Sequence, residues 1–488
     1  MNIHTLSRAA VLAALLIGTA LAAQADEDRI RPWEEDPRYW QYKGEPVLLL
    51  GGSNHDNLFN HPNVYPDGLE AHLDTLASVG GNYLRNTMSS RDRESDESEF
   101  FNDDNLYAFH RDAETGLYDL ERFKDAFWDR FRDFLEMTEE RDIIVQIEVF
   151  DRFDFAGDRG PYPGMGWSEH PFNPVNNINY TSEESGLPEA IDTHPGQLEN
   201  PFFRTTPEQE DNPLVLEYQE AFVDKMLSIS LEHGNVLYCV SNETSESEHW
   251  SGYWARFIRD KAEETGVGVE VTEMWDAHDL THPTHRHTFD YPDLYSYVDI
   301  SQNNHQTGQT HWDNMQAARE LVSDPPRPVN SVKIYGGERH GAGVLEGTQK
   351  FWRNILGGLA SSRFHRPGAQ PDFYGIGLNE LAQTHIRSMR MFEDAFDIFA
   401  AEPRNDLLSD RGENEAYCAA VLGEAYAVYF TDGGSVELDL TNAEGVFQVR
   451  WLNILDSEWA DETNAQAGGS IELIAPGEGQ WAVVLSSE

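Results

Sequence analysis

The chain has 488 residues, with 35 basic and 86 acidic side chains and a formal charge of −51. That balance excludes a nucleic-acid partner held through phosphate contacts. The acid is spread along the whole chain at 39% hydrophobic content, which excludes an acidic disordered tail and points to a folded core under a carboxylate-rich surface, suited to high salt where self-repulsion is screened. A salt-loving or marine bacterium is the expected source, and the length accommodates one large and one small domain.

Residues 1–25, MNIHTLSRAAVLAALLIGTALAAQA, read as a secretory signal peptide, with Arg8 before a short apolar core and a small-x-small ending at Ala25. Export to the periplasm or medium is expected. No later stretch approaches the roughly 20 apolar residues that a membrane span needs. Cys239 and Cys418 are the two cysteines, too few for a disulfide framework.

Residues 26–44 suggest a hairpin leading into the first strand. From about 45 to 365 short apolar runs alternate with amphipathic stretches. Strands are predicted at 46–52, 81–87, 142–150, 235–243, 268–275, 297–304, 329–338 and 357–365. Helices are predicted between them, as at 118–140, where Leu120, Phe123, Phe127, Phe131 and Leu135 recur at helical spacing, and at 217–233. Eight such units predict an α/β fold, a (β/α)8 TIM barrel over residues 26–400. Beyond 400 the pattern becomes short alternating strands with Gly, Asp and Asn turns, which predicts a small all-β sandwich over 401–488.

A barrel of this kind carries its chemistry at the carboxyl ends of the strands. The polar residues there include His55 and Asp56 after strand one, Arg85 after two, Glu148, Asp151 and Asp154 after three, and Asn242 and Glu243 after four. Glu273, Trp275 and Asp276 follow strand five, His305 strand six, Glu338 strand seven, and Arg363 and His365 strand eight. Glycoside hydrolysis needs two carboxyl groups on opposite sides of a sugar ring, and Glu243 and Glu338 occupy two such strand ends.

This arrangement resembles the clan A glycoside hydrolases. The stretch DPRYWQYKGEPVLLLGGSNHDNLF is similar to the entry hairpin and first strand of the family 5-like and apiosidase-like barrels, HPFNPVNNINY (170–180) to their loop after strand three, and the tail to their collagen-binding-type β-sandwich. The resemblance implies that Glu243 is the acid/base, that Asn242 bonds the sugar 2-hydroxyl, that Glu338 is the nucleophile and that Arg85 orients it, with Glu273 as the alternative nucleophile. It implies a retaining reaction that needs no cofactor. His55, Asp56, Trp275, His305, Arg363 and His365 are the expected substrate contacts.

Trp167, Trp250, Trp275, Trp312 and Tyr335 fall in expected loops where rings could stack on sugars, Trp275 being the best placed. His282, His285 and His287 cluster around Pro283, but their spacing matches no standard zinc helix, and no metal is expected. Two functions remain open: a polysaccharide or oligosaccharide hydrolase, and a non-catalytic carbohydrate-binding protein on the same scaffold. Arg85, Arg152, Arg339 and Arg363 near the strand ends either offset internal carboxylates or read an anionic glycan.

Overall fold

In the computed structural model the described residues are 28–60, 67–89, 107–155, 166–191, 193, 200–337, 342–367 and 374–487. The amino-terminal segment expected to be a signal peptide lies outside them. Three short antiparallel strands, Arg31–Pro32, Trp40–Tyr42 and Glu45–Val47, form the entry sheet.

Eight parallel strands follow in the expected order: β1 Leu49–Gly52, β2 Tyr83–Thr87, β3 Ile144–Asp151, β4 Val236–Asn242, β5 Glu270–Thr272, β6 Val298–Asp299, β7 Val329–Asn330 and β8 Ser361–Phe364. Six of them form one ladder in the order β5-β4-β3-β2-β1-β8, while β6 and β7 pair separately. The ladder does not run unbroken around the ring. Isolated hydrogen bonds bridge the two gaps: between β5 and β6 the Ser296 N–H reaches the Val271 carbonyl (3.1 Å) and the Val271 N–H the Ser296 hydroxyl (3.0 Å), and between β7 and β8 the Ala360 N–H reaches the Val329 carbonyl (3.0 Å), with Ile334 bridged to Phe364 further on. A Cβ at Gly51 would stand 1.8 Å from the Tyr83 carbonyl oxygen, so only glycine lets β1 and β2 approach as they do.

Helices cover the outside: α1 Asp67–Ser78, α2 Asp125–Glu139, α3 Pro213–Ser230, α4 Glu248–Thr265, α5 Gly308–Leu321, α6 Val344–Leu356 and α7 Glu380–Glu393. The link from β5 to β6 holds only short helical turns, Pro283–His285 and Arg286–Phe289. The helix expected from residue 118 starts at Asp125 instead. Tyr118–Phe123 is a strand paired with Phe109–Arg111, and the Leu120 N–H is taken by the Asn179 side chain (2.8 Å).

Alternation along the strands turns a polar set inward. Tyr83 and Tyr297 hydroxyls donate to Gln146 Oε1 (2.8 and 3.2 Å), and Gln146 Nε2 donates to Asp299 Oδ2 (3.0 Å). Asn330 donates to the Tyr83 hydroxyl and accepts from the Trp40 indole of the entry sheet, each at 3.0 Å. The interior is thus a hydrogen-bonded core and not a channel.

Residues from Glu402 onward form two antiparallel sheets. The larger contains Ala416–Val421, Ala425–Phe430, Val446–Asn453 and Trp481–Ser487, and the smaller Leu408–Ser409, Ser435–Asp439 and Ser470–Ile474. Cys418, Val428 and Val483 of the larger sheet share an apolar cluster with Val436, Leu438 and Leu473 of the smaller. The other face of the larger sheet joins the barrel core, with Tyr429 stacked on Trp352 of α6 (centroids 5.5 Å, 16°). Cys239 and Cys418 are free, buried thiols, one in each region.

Candidate active site

Glu243 is the residue on which the strand ends converge. It follows the last residue of β4 with φ 55°, the left-handed region that side chains rarely adopt. Its Oε1 accepts from Lys333 Nζ at 2.6 Å and its Oε2 from Arg152 Nη2 at 3.3 Å. A cation thus stands against each oxygen of this carboxyl. Asn242 turns its amide N–H to Asp151 Oδ1 (3.0 Å) and its carbonyl oxygen to Lys333 Nζ (2.5 Å). Arg152 also reaches Ser245 Oγ (2.6 Å) and Asp276 (2.7 Å), which ties the chain after β3, β4 and β5 together.

Arg85 is fully buried on β2. Its Nε donates to Glu148 Oε1 at 2.5 Å and its Nη1 to Asp56, while Asp56 also accepts from Arg366 at 2.5 Å. Among the described residues Arg85 therefore orients Asp56 and Glu148, whereas the resemblance implied that it orients Glu338. Burial pushes the Glu148 carboxyl up from its ordinary range in spite of Arg85 and Lys333.

Glu338, with Arg339, lies outside the described residues. Its alternative, Glu273, is fully buried on the β4 side: Oε1 accepts from the backbone N–H groups of Ser241 (2.9 Å) and Met274 (2.8 Å). Burial pushes this carboxyl well above the ordinary range against the two backbone N–H groups, and those bonds tie Glu273 to the end of β4.

Several expected sugar contacts are committed to the interior. Trp275 is buried, its indole donating to Thr288 Oγ1 (2.6 Å) and its ring packed on His287 (5.5 Å), which leaves no free face for a sugar. Trp167, Trp250 and Trp312 are buried as well. Arg363, fully buried, donates to the Val332 carbonyl (2.7 Å) and to Ser53, and burial lowers its pKa to about 10. His365 is buried 3.9 Å from Asp56, and burial holds it neutral, well below the ordinary histidine value.

The residues that retain some exposure are His55 and His305. His305 stacks on the exposed His278 (centroids 3.6 Å, 11°) and meets Tyr335 edge-on at 5.4 Å, while Tyr335 lies 5.0 Å from His365. On the opposite side, an apolar pocket enclosing about 470 Å³, open solvent included, is lined by Phe150, Phe155, Phe172 and His170, with Asp151 and Asp154 at its polar edge. The same Asp151 holds Asn242, which links this pocket to the end of β4. No cluster of three or more metal-ligating side chains occurs among the described residues; His285 faces the Ala277 carbonyl (2.9 Å).

Lys333 escapes a reading based on polar residues that close apolar runs. It lies inside the predicted strand seven and is fully buried. Its rarity is the available signal: it is one of six lysines in 488 residues, set in the apolar run VNSVKIY.

The family described as "Domain of unknown function (DUF6298)" matches residues 110–314, the segment that holds β3 to β6. No curated protein matches the chain. Among solved structures, a glycoside hydrolase family 5 protein from Bacteroides vulgatus superposes with a TM-score of 0.61 over 95% of each chain at 13% identity. Another solved structure, described only as a glycoside hydrolase, gives 0.60 over 95% of this chain and 98% of its own at 10% identity. A family 5 mannosidase from Rhizomucor miehei gives 0.50 over 75% of this chain and 97% of its own at 12% identity. At these identities the likeness is one of fold, and the fold is that of the barrel glycoside hydrolases.

Proposed function

We propose that the chain is an exported O-glycosyl hydrolase acting on a polysaccharide or its oligosaccharides, on a (β/α)8 barrel with a β-sandwich accessory unit. The observation that carries this reading is Glu243, set in a left-handed conformation at the carboxyl end of the fourth strand and facing a mouth lined with charged groups and hydrogen-bonding side chains. In this reading Glu243 is the acid/base of a retaining, two-carboxylate reaction and Glu338 the nucleophile. To protonate a leaving oxygen Glu243 must first gain a proton, which Lys333 and Arg152 oppose. In the later step it acts as a base, a role these cations favour.

The described arginines of the mouth are occupied. Arg85, Arg152, Arg363 and Arg366 each bond internal carboxylates, carbonyls or hydroxyls, which favours the internal use of these charges over recognition of an anionic glycan.

A second reading, a carbohydrate-binding protein without catalysis, draws on Lys333: the side chain that strand seven presents to Glu243 within the described residues is an ammonium and not a carboxylate. Incubation with neutral and acidic polysaccharides and oligosaccharides, with released sugars separated by chromatography, decides between the two. Product released by the wild type and not by Glu243→Gln supports the hydrolase; binding without product from any glycan supports the second reading.

A further inference from the structure

We propose that Lys333 is a positioning residue for Glu243, holding its carboxylate ionised and in the left-handed conformation. The inference builds on the reading of Glu243 as the acid/base and adds a residue to it.

Lys333 is fully buried, and a lysine in that state needs acceptors for its charge. Its ammonium donates to adjacent residues at one point of the barrel, Asn242 Oδ1 and Glu243 Oε1. Both bonds span from the segment after β7 to the end of β4, so they fix where the β4 end points. A left-handed backbone at a residue other than glycine is strained and persists only where its surroundings over-determine it. Lys333 on one carboxylate oxygen and Arg152 on the other supply that constraint.

The titratable groups around the pair come from every neighbouring strand end: Glu148 and Asp151 from β3, Asp276 after β5, Asp299 on β6, His365 after β8, and Arg152. Burial drives Glu148 and Asp299 toward their neutral acids and His365 toward its neutral ring. Asp151 is turned to Asn242, and Asp276 to Arg152. That leaves Glu243 as the carboxylate matched to the ammonium. Apolar residues often replace a buried ion pair without loss of stability, so the use of this pair lies in the direction and charge it imposes on Glu243.

The test is a double-mutant cycle on the full chain at pH 7, with Lys333→Met, Glu243→Gln and the double variant compared by equilibrium urea unfolding. Lys333→Met leaves the buried Glu243 charge with Arg152 at 3.3 Å in place of two cations and should raise the unfolding equilibrium constant at least 100-fold, whereas the double variant, which buries no such charge, should recover at least tenfold of that loss. A Lys333→Met variant that does not fold beside a double variant that does supports the proposal equally. Additive losses, or a double variant as unfolded as Lys333→Met, would overturn it.

Catalysis gives a readout that a merely structural lysine would not move. On any glycan that the wild type hydrolyses, Lys333→Met should shift the basic limb of the pH profile upward by a pH unit or more, and an unmoved limb counts against the proposal. If the wild type hydrolyses no glycan, the enzyme reading fails on its own, and the unfolding cycle still decides the role of Lys333.

Discussion

Glu246 offers a measurement that isolates one carboxyl group. It lies three residues beyond Glu243, 9% exposed, and its Oε1 has no hydrogen-bond partner among the described residues. Burial raises its pKa from 4.5 to about 7, with Arg204 opposing the rise and Glu210 adding to it. The folded protein therefore binds a proton here more tightly than the unfolded chain does. Stability from this group is fully present below pH 4.5 and is lost as the pH rises through 7, because unfolding releases a proton that the native state holds. The gap between the two values corresponds to about 3 kcal/mol. Glu246→Gln mimics the neutral acid at every pH, so it should unfold close to the wild type at pH 5 and be more stable by up to about 3 kcal/mol at pH 8.5. For a chain of this length that is a difference in Tm of about 3 °C, at roughly 2 cal/mol/K of unfolding entropy per residue. The assay is a pair of melting curves across pH 5 to 8.5. Other groups move both curves together, and any cost of burying the amide is the same at each pH. A constant offset between the curves would refute the argument, since it would mean that Glu246 titrates alike in the folded and unfolded chains.

Three further outcomes are expected. Arg85→Met strands Glu148 and leaves Asp56 with Arg366, both carboxyls being fully buried, and should cost about 3 to 5 kcal/mol in chemical unfolding; a loss below about 1 kcal/mol would show that the two carboxyls manage without it. Glu243→Gln should lower turnover of an unactivated glycoside by several orders of magnitude and that of an activated aryl glycoside much less in the first step, which needs little protonation of the leaving group; unchanged turnover of the unactivated substrate would remove Glu243 from the mechanism. The net charge of −51 should make Tm rise with sodium chloride, because the screening length falls from about 30 Å at 0.01 M to about 3 Å at 1 M; a Tm independent of salt would show that surface repulsion does not limit stability.

The eight strands are legible because buried parallel strands write themselves as apolar runs, and their order follows because each run is succeeded by its own connection. Their ends are less so. The run 329–338 reads as one strand, yet its pairing is broken, with Val329–Asn330 on β6 and then Ile334 alone bridged to Phe364 of β8, and a reading of the end of the run passes over Lys333 between them, the side chain that meets Glu243. The region 118–140 misleads for a related reason. Tyr118 and Leu120 alternate as a strand requires and also lie at spacings compatible with the helix that follows Lys124, and only the partner segment Phe109–Arg111 decides between them.

The same limit governs the site. Asn242 and Glu243 are identifiable because a strand end is a local feature, recorded in consecutive residues. Whether a tryptophan faces a sugar or the core is not local: Trp275 follows β5 as expected, but Thr288 and His287, from the short helical turn before β6, enclose it. The arginines raise the same difficulty at the level of charge. Read in sequence, Arg85 and Arg363 are scarce cations near a mouth; in the fold, each sits among acceptors from strands far away in the chain, Arg85 between Asp56 and Glu148 and Arg363 between Ser53 and Val332. A chain with 86 acidic groups cannot keep all of its carboxyls in water when some stand at the inner ends of barrel strands. Those it buries must be paired, hydrogen-bonded or protonated, and different solutions occur side by side: Asp56 is paired with Arg85, Glu273 accepts from two backbone N–H groups, and Glu243 is clamped between Lys333 and Arg152. Of these, Glu243 alone follows directly on the residue that ends its strand and has its backbone turned into the left-handed region. Both cations on Glu243 come from side chains, Lys333 and Arg152, whereas the carboxyl of Glu273 is fixed by the backbone N–H groups of Met274 and of Ser241 on the neighbouring strand.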